Sequence, residues 1–518
     1  MPVRVQFSLS PAVSAIQDAW QDKALKEAGI PDGRLVLRRK SLDARSRHPV
    51  FLYSVDVYAG DETVPVTGGF RLQNVKNARE VHIVGCGPAG LFAALQCIEL
   101  GLKPVIFERG KAVQQRRRDL AALNRTHEVN PDSNYCFGEG GAGTYSDGKL
   151  YTRSTKRGDT LRVLSELTVR GAADDILWDA HPHIGTNKLP GIIGNIRHAI
   201  LDAGGEIHFN SRLENLELAE NQIKGIHLAG GSYVPVSHLI LATGHSARDI
   251  FRLFQQLRIQ IEAKPFALGV RIEHPQEVID QIQYRCERGL LLPPASYSLV
   301  EQVQGRGVFS FCMCPGGIIA PAATDKEEVV VNGWSPSRRN GKFANSGFVV
   351  TVDELDFAPY QSAGELRAME YQAVAEKKAW ETNGNLTAPA QRMEDFIQGR
   401  LSTNLPECSY IPGISSRNIA EVLDQAVSSR IREALINLGR KMPAFRTNEA
   451  VLVGVESRTS SPVRIPRDKN TLQHIQISNL YPCAEGAGYA GGIMSAALDG
   501  MRCAVSVAHS VGIAVEEI

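Results

Sequence analysis

The sequence predicts an α/β fold in which a parallel sheet, covered by helices, is split by an inserted α+β segment and preceded by a small α+β unit. Residues 81–109 show the order strand, glycine turn, helix, strand, and the last hundred residues return to glycine-rich strand-to-helix character. The intervening residues 266–442 are richer in strands and turns. At roughly 100–200 residues per domain, the chain allows about three domains. The predicted domains are an appendage at 1–77, a domain split between 78–265 and 443–518, and an inserted domain at 266–442.

The composition is that of a globular protein with almost no net charge. Of the 518 residues, 43% are hydrophobic and 22% are charged, and 57 Lys and Arg balance 56 Asp and Glu. A net charge of +1 gives no overall attraction toward nucleic acid or an anionic membrane. No stretch reaches the roughly 18 apolar residues of a membrane-spanning helix, and no signal-peptide core opens the chain. We therefore expect a cytoplasmic protein that binds no membrane.

Cysteine usage predicts free thiols and no metal. Nine cysteines are too sparse, and odd in number, for a disulfide framework. The one close pair is Cys312 and Cys314, and no second pair follows to complete a zinc site.

The predicted appendage has a strand-rich pattern and a local basic run. Strand-like runs cover 3–9, 34–39 and 50–58, and an amphipathic stretch covers 10–28. No aromatic stacking pattern accompanies the positive charges, so a solvated or domain-contacting surface is favoured over a nucleic-acid site. The basic run consists of Arg34, Arg38, Arg39, Lys40, Arg45, Arg47 and His48.

A glycine turn typical of dinucleotide binding follows the strand at 81–84. Gly85 makes the sharp turn, Gly87 lets the backbone approach a pyrophosphate, and Gly90 lets helix and strand pack closely. The next strand delivers Glu108, whose carboxylate can accept ribose hydroxyls and would repel a 2′-phosphate. The segment therefore predicts a Rossmann-like domain that binds FAD or NAD rather than NADP.

Three later segments favour FAD over NAD. Residues 138–149 are glycine-rich, and their backbone can lie flat against a large planar ligand. Residues 239–244 form an apolar strand that ends in Ala-Thr-Gly, and residues 481–494 carry several glycines before a predicted helix.

Five longer strings resemble those of a known bacterial family. On these strings the chain resembles the bacterial uncharacterised FAD-dependent dehydrogenase family, within the glutathione-reductase-like flavoproteins, over about residues 35–510. The resemblance implies an FAD-binding domain of glutathione-reductase type with an inserted substrate domain. The strings are FGEGGAGTYSDGKL (137–150), PHIGTNKL (182–189), GVRIEHP (269–275), FCMCPGG (311–317) and GVESRTSSPVRI (454–465).

The resemblance also implies roles for individual residues. The glycine turn would hold the pyrophosphate, Glu108 the ribose, and the backbone of Leu213 the adenine. Glu485 would lie near the ribityl chain or phosphate, and the amides of Ile493 and Met494 would face flavin O2. The full set of implied cofactor-binding residues is Gly85, Gly87, Pro88, Ala89, Gly90, Glu108, Arg109, Gly140, Gly141, Gly143, Ser146, Leu213, Thr243, Gly244, Glu485, Gly486, Gly492, Ile493 and Met494.

The sequence contains no second GxGxxG motif followed by an acidic residue. A separate nicotinamide domain is therefore not expected. Electrons would come from the substrate, from NAD(P)H that docks transiently, or from an electron-transfer partner.

Four residues are candidates for catalysis, each with a structural alternative. His274 could move a proton beside the flavin, or it could be a hydrogen-bonded structural histidine. Arg458 suits a carboxylate or phosphate on a substrate or the flavin, or could pair with Glu456 or hold backbone carbonyls. Cys312 and Cys314 could form a redox dithiol, although structural packing is the favoured interpretation.

These observations predict an FAD-dependent oxidoreductase that exchanges a hydride between flavin N5 and a small organic substrate. A flavin-dependent monooxygenase is the alternative enzyme. An FAD-dependent RNA-modifying or RNA-binding protein, using the basic appendage, is the alternative of a different class.

Overall fold

The computed structural model describes residues 1–46, 48–64, 68–151 and 158–515. The helices are α1 (Pro11–Ser14), α2 (Ala19–Ala28), α3 (Pro88–Glu99), α4 (Val113–Thr126), α5 (Thr160–Val169), α6 (Leu189–Asp202), α7 (Arg248–Gln256), α8 (Gln276–Tyr284), α9 (Arg367–Glu381), α10 (Met393–Gln398), α11 (Ile419–Val422), α12 (Gln425–Lys441) and α13 (Ile493–Ser510). The strands are β1 (Val3–Leu9), β2 (Arg34–Asp43), β3 (Val50–Tyr58), β4 (Glu80–Val84), β5 (Lys103–Phe107), β6 (Glu206–His208), β7 (Leu213–Ala219), β8 (Gln222–Leu228), β9 (Ser232–Pro235), β10 (Leu239–Leu241), β11 (Glu262–Ala263), β12 (Phe266–Pro275), β13 (Val300–Val303), β14 (Arg306–Pro321), β15 (Val331–Trp334), β16 (Phe343–Val352), β17 (Ala388–Arg392), β18 (Ile414–Ser416), β19 (Val451–Glu456), β20 (Val463–Arg464) and β21 (Leu480–Pro482).

A parallel sheet carries the predicted glycine turn. Its strand order is β21-β10-β4-β5-β6, and all neighbouring strands run parallel. Helices α3 and α13 share one apolar core with this sheet. They approach each other so closely that a methyl group on Gly500 would lie 2.1 Å from the carbonyl oxygen of Ala89. Strands β7, β8 and β9 form a separate antiparallel sheet, and the mixed α/β fold is confirmed.

An eight-stranded sheet forms the inserted part of the chain. Its order is β13-β14-β16-β12-β19-β17-β18, with β15 paired to β14. Strand β19 pairs with both β12 and β17. This sheet therefore includes residues 451–456, which lie beyond position 442, where the sequence places the end of the inserted domain.

Residues 266–442 contain more helix than their strand-rich and turn-rich pattern predicts, and α9 is only one of the helices there. Helices α8, α10, α11 and α12 also lie there. In α12 the buried residues include Val427, Ile431, Leu435 and Leu438, which follow the helical repeat. Serine and arginine residues separate them, so the apolar stripe is narrow and the segment looks polar along the chain.

The appendage is a three-stranded antiparallel sheet in the order β1-β3-β2, with α2 packed against it. Lys40 connects this sheet to the rest of the chain. Its backbone N–H donates to the carbonyl of Trp178 at 2.8 Å, and its ammonium lies 4.7 Å from the ring centre of Phe51 and 5.9 Å from that of Trp178.

Other basic residues of the appendage are engaged within it. Arg38 Nε donates to Asp56 at 2.7 Å, and Arg45 Nε donates to Asp43 at 2.9 Å. Arg47 lies outside the described residues. Arg38 and Arg45 therefore have carboxylate partners within the appendage.

Two global expectations can be compared with the structure. Within the described ranges, no helix has both the length and the apolar character needed to span a bilayer. All nine cysteines lie in those ranges and are free thiols.

Candidate functional site

A cavity of about 440 Å³ lies between the carboxyl ends of the parallel strands and the eight-stranded sheet. Ligands of open α/β sheets bind at this edge of the sheet. We call the side lined from residues 84–89, 141–143, 242–247 and 484–496 the glycine wall. We call the side lined by Phe311, Cys312, Ala320, Pro321, Ala322, Asn332, Gly333 and Trp334 the insert wall.

Two helices begin at the glycine wall. Helix α3 follows Gly87 and helix α13 follows Gly492, and neither of these two described caps supplies a side-chain hydrogen bond. Free backbone N–H groups at a helix N-terminus attract negative charge. The two helix starts therefore offer two places for anionic or electron-rich parts of a ligand.

The space in front of the glycine wall is open. A methyl group on Gly244, Gly491 or Gly492 would have no atom within 4 Å. On Gly87 its nearest contact would be Cα of Gly141, at 3.9 Å. We call the space in front of these glycines the cradle. Because no side chains occupy it, a dinucleotide could approach the backbone closely there.

Three of the predicted glycines are not among the cavity-lining residues. A methyl group on Gly90 would lie 1.9 Å from the carbonyl oxygen of Gly85, and one on Gly486 would lie 2.1 Å from that of Thr243. One on Gly140 would lie 2.1 Å from Oγ1 of Thr144. These glycines shape the wall through backbone packing, whereas the other implied cofactor residues line the cavity.

Glu108 is buried beneath the turn and holds the backbone in place. Its carboxylate accepts hydrogen bonds from the N–H groups of Cys86 at 2.8 Å, Gly110 at 2.9 Å and Gly138 at 3.0 Å. An ionised carboxylate has about four acceptor positions, so one remains for a ligand hydroxyl.

Arg109 also lines the cavity but is already paired. It forms ion pairs with Asp132 at 2.8 Å and Asp249 at 3.0 Å. Its guanidinium lies 4.1 Å from the ring centre of Phe137. These contacts tie together the loops around this part of the cavity.

Sequence reasoning missed Arg116, which supports the glycine loop. The side chain is fully buried, and it donates to the backbone carbonyls of Asn134, Tyr135, Glu139 and Gly141 at 2.7–2.9 Å. Burial lowers the pKa of this guanidinium. A signal was present in the sequence, because Arg116 lies on the buried stripe of α4 with Val113, Leu120 and Leu123.

Glu485 fixes the start of α13. Its carboxylate accepts from the N–H of Gly492 and lies 3.0 Å from Nδ1 of His245. Burial opposes ionisation of Glu485, but the hydrogen bond and charge of His245 outweigh it and hold its pKa below the usual value. Both residues line the cavity, and His245 was not among the predicted site residues.

A lysine lies next to two thiols, one of which belongs to the insert wall. Lys149 Nζ lies 3.6 Å from Sγ of Cys312 and 3.7 Å from Sγ of Cys314. Cys312 lines the cavity and is partly exposed, whereas Cys314 is fully buried. Lys149 belongs to the string FGEGGAGTYSDGKL, but nothing in that string predicts a position beside the cysteines.

A buried ion pair lies behind the insert wall. Arg271 on β12 donates to Glu456 on β19 at 2.8 Å, to Asn345 at 2.7 Å and to the carbonyl oxygen of Cys312 at 2.7 Å. Burial raises the pKa of Glu456 to about 7 even though Arg271 favours its ionised form. Glu456 therefore pairs with Arg271 and not with Arg458.

Arg458 belongs to a second buried network. It donates to Glu328 at 2.6 Å and to Glu376 at 3.1 Å, and Arg248 reaches Glu376 at 2.8 Å. The two arginines and two carboxylates balance in charge. Arg458 touches the cavity, but its donors are committed to these neighbours and to Thr324.

His274 is not among the cavity-lining residues. It is fully buried, its Nε2 lies 2.8 Å from the carbonyl oxygen of Phe445, and its ring packs against that phenyl ring at 4.5 Å. Burial lowers its pKa to about 4. The environment is that of the structural alternative rather than of a proton donor beside a flavin.

One cluster in the described chain has the ligand types of a metal site. Ligand atoms of Cys483, Asp499 and Cys503 lie within 4.8 Å of one another. Arg467 already pairs with Asp499 at 2.7 Å and approaches Cys503 at 3.7 Å. The guanidinium thus occupies the place of a cation, and the cluster gives no support to a metal.

Comparison with known proteins identifies the family. Residues 265–459, which span the strands from β12 to β19, match the model described as FAD-dependent protein, C-terminal domain-like. Residues 1–58 match a domain of unknown function. Over 493 residues the chain is 39% identical to an uncharacterized protein of Clostridium beijerinckii, covering 91% of each chain. The chain belongs to this family of FAD-dependent proteins.

Solved structures resemble this FAD-dependent protein only distantly. A flavoprotein/dehydrogenase from Cytophaga hutchinsonii matches 84% of this chain and 80% of its own, at 11% identity and a TM-score of 0.35. Glycine oxidase from Bacillus cereus matches 83% of this chain and 95% of its own, at 11% identity and a TM-score of 0.33. Likenesses this weak do not distinguish one reaction from another.

Proposed function

We propose that this FAD-dependent protein is an oxidoreductase that exchanges a hydride between flavin N5 and a small organic substrate. The observation that supports the proposal is the cavity, which joins a backbone-lined wall suited to a dinucleotide with a side-chain-lined wall suited to a small molecule.

The glycine wall would hold FAD in the manner of the glutathione-reductase type. The start of α3 at Gly87 would receive the pyrophosphate, and Glu108 would accept an adenosine ribose hydroxyl. The start of α13 at Ile493 would face the flavin ring. Glu485 and His245 would keep that helix start in position.

The substrate would lie between the flavin and the insert wall. Bound FAD would supply the hydride exchange at N5. On the protein side, Asn332 and Lys149 would orient polar groups of the substrate, while Phe311 and Trp334 would exclude water. These four side chains all line the cavity.

The source of electrons is part of the proposal. The other two GxGxxG matches, at 138–143 and 486–491, do not lie in a strand–turn–helix–strand unit that ends at an acidic residue, so we propose no second dinucleotide fold for a nicotinamide. We therefore propose that electrons come from the substrate itself, from NAD(P)H that docks transiently, or from an electron-transfer partner.

Anaerobic reduction tests this function. The purified protein is expected to show a flavin spectrum, and its absorbance should bleach with NADH, NADPH or one member of a metabolite panel. A protein that neither carries flavin nor binds added FAD would overturn the FAD assignment. Flavin that every donor, including dithionite, fails to reduce would overturn the redox assignment.

A further inference from the structure

The strongest unassigned feature is the lysine next to two thiols, one of which belongs to the insert wall. A single ammonium lies 3.6 Å from Sγ of Cys312 and 3.7 Å from Sγ of Cys314. Cys312 is open to the cavity, and Cys314 is enclosed behind it. The two sulfurs thus share the ammonium of Lys149 but differ in access, and Cys314 also accepts from Arg271 at 3.6 Å.

The two carboxylates nearest the thiols each have an arginine as their closest cation. Among the described residues that face Cys312, the cations are Lys149 and Arg271, and the carboxylates are Asp147 and Glu456. Glu456 is taken by Arg271 at 2.8 Å.

Asp147 is also taken by a closer cation than Lys149. Arg339 reaches its carboxylate at 2.7 Å, whereas Lys149 Nζ is 3.8 Å away. Lys149 is therefore left without a close carboxylate, and a negative charge at one of the sulfurs would pair with it. An adjacent lysine is one of the environments that stabilise a cysteine thiolate.

The backbone at Cys312 is unusual in a way that fits a functional position. Its φ is +46°, and the pairing of β14 with β16 shifts in register between Phe311 and Cys314. A left-handed backbone conformation is strained for a residue other than glycine and persists where its surroundings determine it. Here Arg271 holds the carbonyl oxygen of Cys312 at 2.7 Å.

The titration of the two thiols agrees with this geometry. A hydrogen bond from Cys314, together with the charges of Lys149 and Arg271, lowers the pKa of Cys312 well below its usual value against the effect of burial. The interaction with Cys312 and burial both raise the pKa of Cys314. The lower pKa thus belongs to the accessible sulfur and the higher pKa to the enclosed one.

We propose that Cys312 is a thiolate nucleophile at the cavity wall, held by Lys149 and by the thiol of Cys314, and that its ligand is an electrophilic carbon or sulfur atom of a small molecule in the cavity. This role goes beyond hydride exchange and does not depend on it. The sulfur lone pair forms the new bond to the electrophilic atom, and the leaving group departs with the electron pair of the broken bond. No proton or external oxidant is needed.

Alkylation by iodoacetamide tests the proposal on the purified full-length protein. The rate at each cysteine would be followed by peptide mass spectrometry between pH 5.5 and 9. Cys136 is an internal control, because it lines the same cavity and contacts Ser246 and the carbonyl of Ala322 rather than a lysine. Cys312 should react at least tenfold faster than Cys136 at pH 6.5, with little increase above pH 7.

Two variants test whether Cys312 reacts quickly because Lys149 stabilises its thiolate or only because its sulfur is exposed. Lys149→Met should slow alkylation of Cys312 at pH 6.5 at least tenfold and move its pH midpoint upward, whereas Lys149→Arg should retain most of the rate. Equal rates for Cys312 and Cys136 in the wild type, or a Cys312 rate that rises steadily to pH 8.5, would overturn the proposal even if no variant folds. Flavin reduction is measured separately, so failure of the thiolate and failure of the redox function are distinguishable.

Discussion

The two walls of the cavity are built in opposite ways. The glycine wall presents backbone, and its turn lies within residues 85–90 of the sequence. The insert wall presents side chains whose partners are distant, since Arg271 is 74 residues from Asn345 and 185 from Glu456. The comparison shows that a turn built from backbone can be predicted from a short stretch of sequence. A cluster of charged side chains cannot be predicted in this way, because its members come together only when distant strands pair.

The largest effect is expected on the charged side. Arg271→Met should lower the free energy of unfolding by about 3–5 kcal/mol, because it leaves Glu456 buried without its cation. Urea unfolding would measure the loss. The double variant Arg271→Met/Glu456→Met should recover much of it.

A surface pair provides the control for that experiment. Lys342 and Glu407 are 3.2 Å apart but largely exposed, so Lys342→Met should change stability by less than about 1 kcal/mol. An Arg271→Met protein as stable as the wild type would mean that the insert wall does not depend on its buried pair.

The next effect tests the glycine wall by steric crowding. Gly90→Ala should cost about 3 kcal/mol, because the added methyl group would meet the carbonyl oxygen of Gly85 at 1.9 Å. The matched change Gly191→Ala in α6 meets open space and should stabilise by about 0.5–1 kcal/mol. Thermal unfolding of both variants measures these changes in stability. Equal melting temperatures for the two variants would refute the packing argument.

A third prediction concerns pH and the region behind the insert wall. Burial lowers the pKa of His274 to about 4 from an ordinary value of 6.5. Between these values the unfolded chain binds the proton and the folded chain does not, so stability falls as the pH falls. From pH 7 to pH 5 the loss is about 2 kcal/mol.

The substitution His274→Gln isolates this contribution. The variant should lose less stability than the wild type between pH 7 and pH 5, as measured by urea unfolding at each pH. Parallel curves for the two proteins would show that His274 does not carry the predicted shift.

The smallest effect is on cofactor affinity. Gly87 has extended backbone angles, with φ −80° and ψ −173°, so Gly87→Val should fold while its side chain enters the cradle. We expect the dissociation constant for FAD to rise at least about tenfold, or about 1.4 kcal/mol. Fluorescence titration of the apoprotein with FAD measures this dissociation constant. If the variant bound FAD as tightly as the wild type, the pyrophosphate would not lie at Gly87.

The fold was predictable where patterns are local. The strand, turn and helix at 81–100 correspond to β4 and α3, and the runs at 3–9 and 50–58 correspond to β1 and β3. Helix α12 was missed, although its apolar spacing was present, because charged and serine residues dilute it. Strand β19 lies beyond the predicted boundary at 442 but pairs with β12, and the sequence pattern does not predict that pairing.

The candidate site was predictable to a lesser extent. Most of the implied glycine-wall residues line the cavity, because a turn specifies its own geometry. His274 was considered catalytic because it follows a polar alternating strand, yet it faces Phe445. Lys149 could not be placed beside Cys312, because the contact joins residues 163 positions apart.

The buried guanidinium of Arg116 has a consequence for how this part of the protein opens. Four carbonyl groups between Asn134 and Gly141 are gathered around one side chain that extends from α4. Neither the loop nor the helix can separate without breaking all of these bonds together. Amide hydrogen exchange in α4 and in residues 134–141 should therefore report a single cooperative opening, in which the rim of the cavity loosens only when the helix beneath it does.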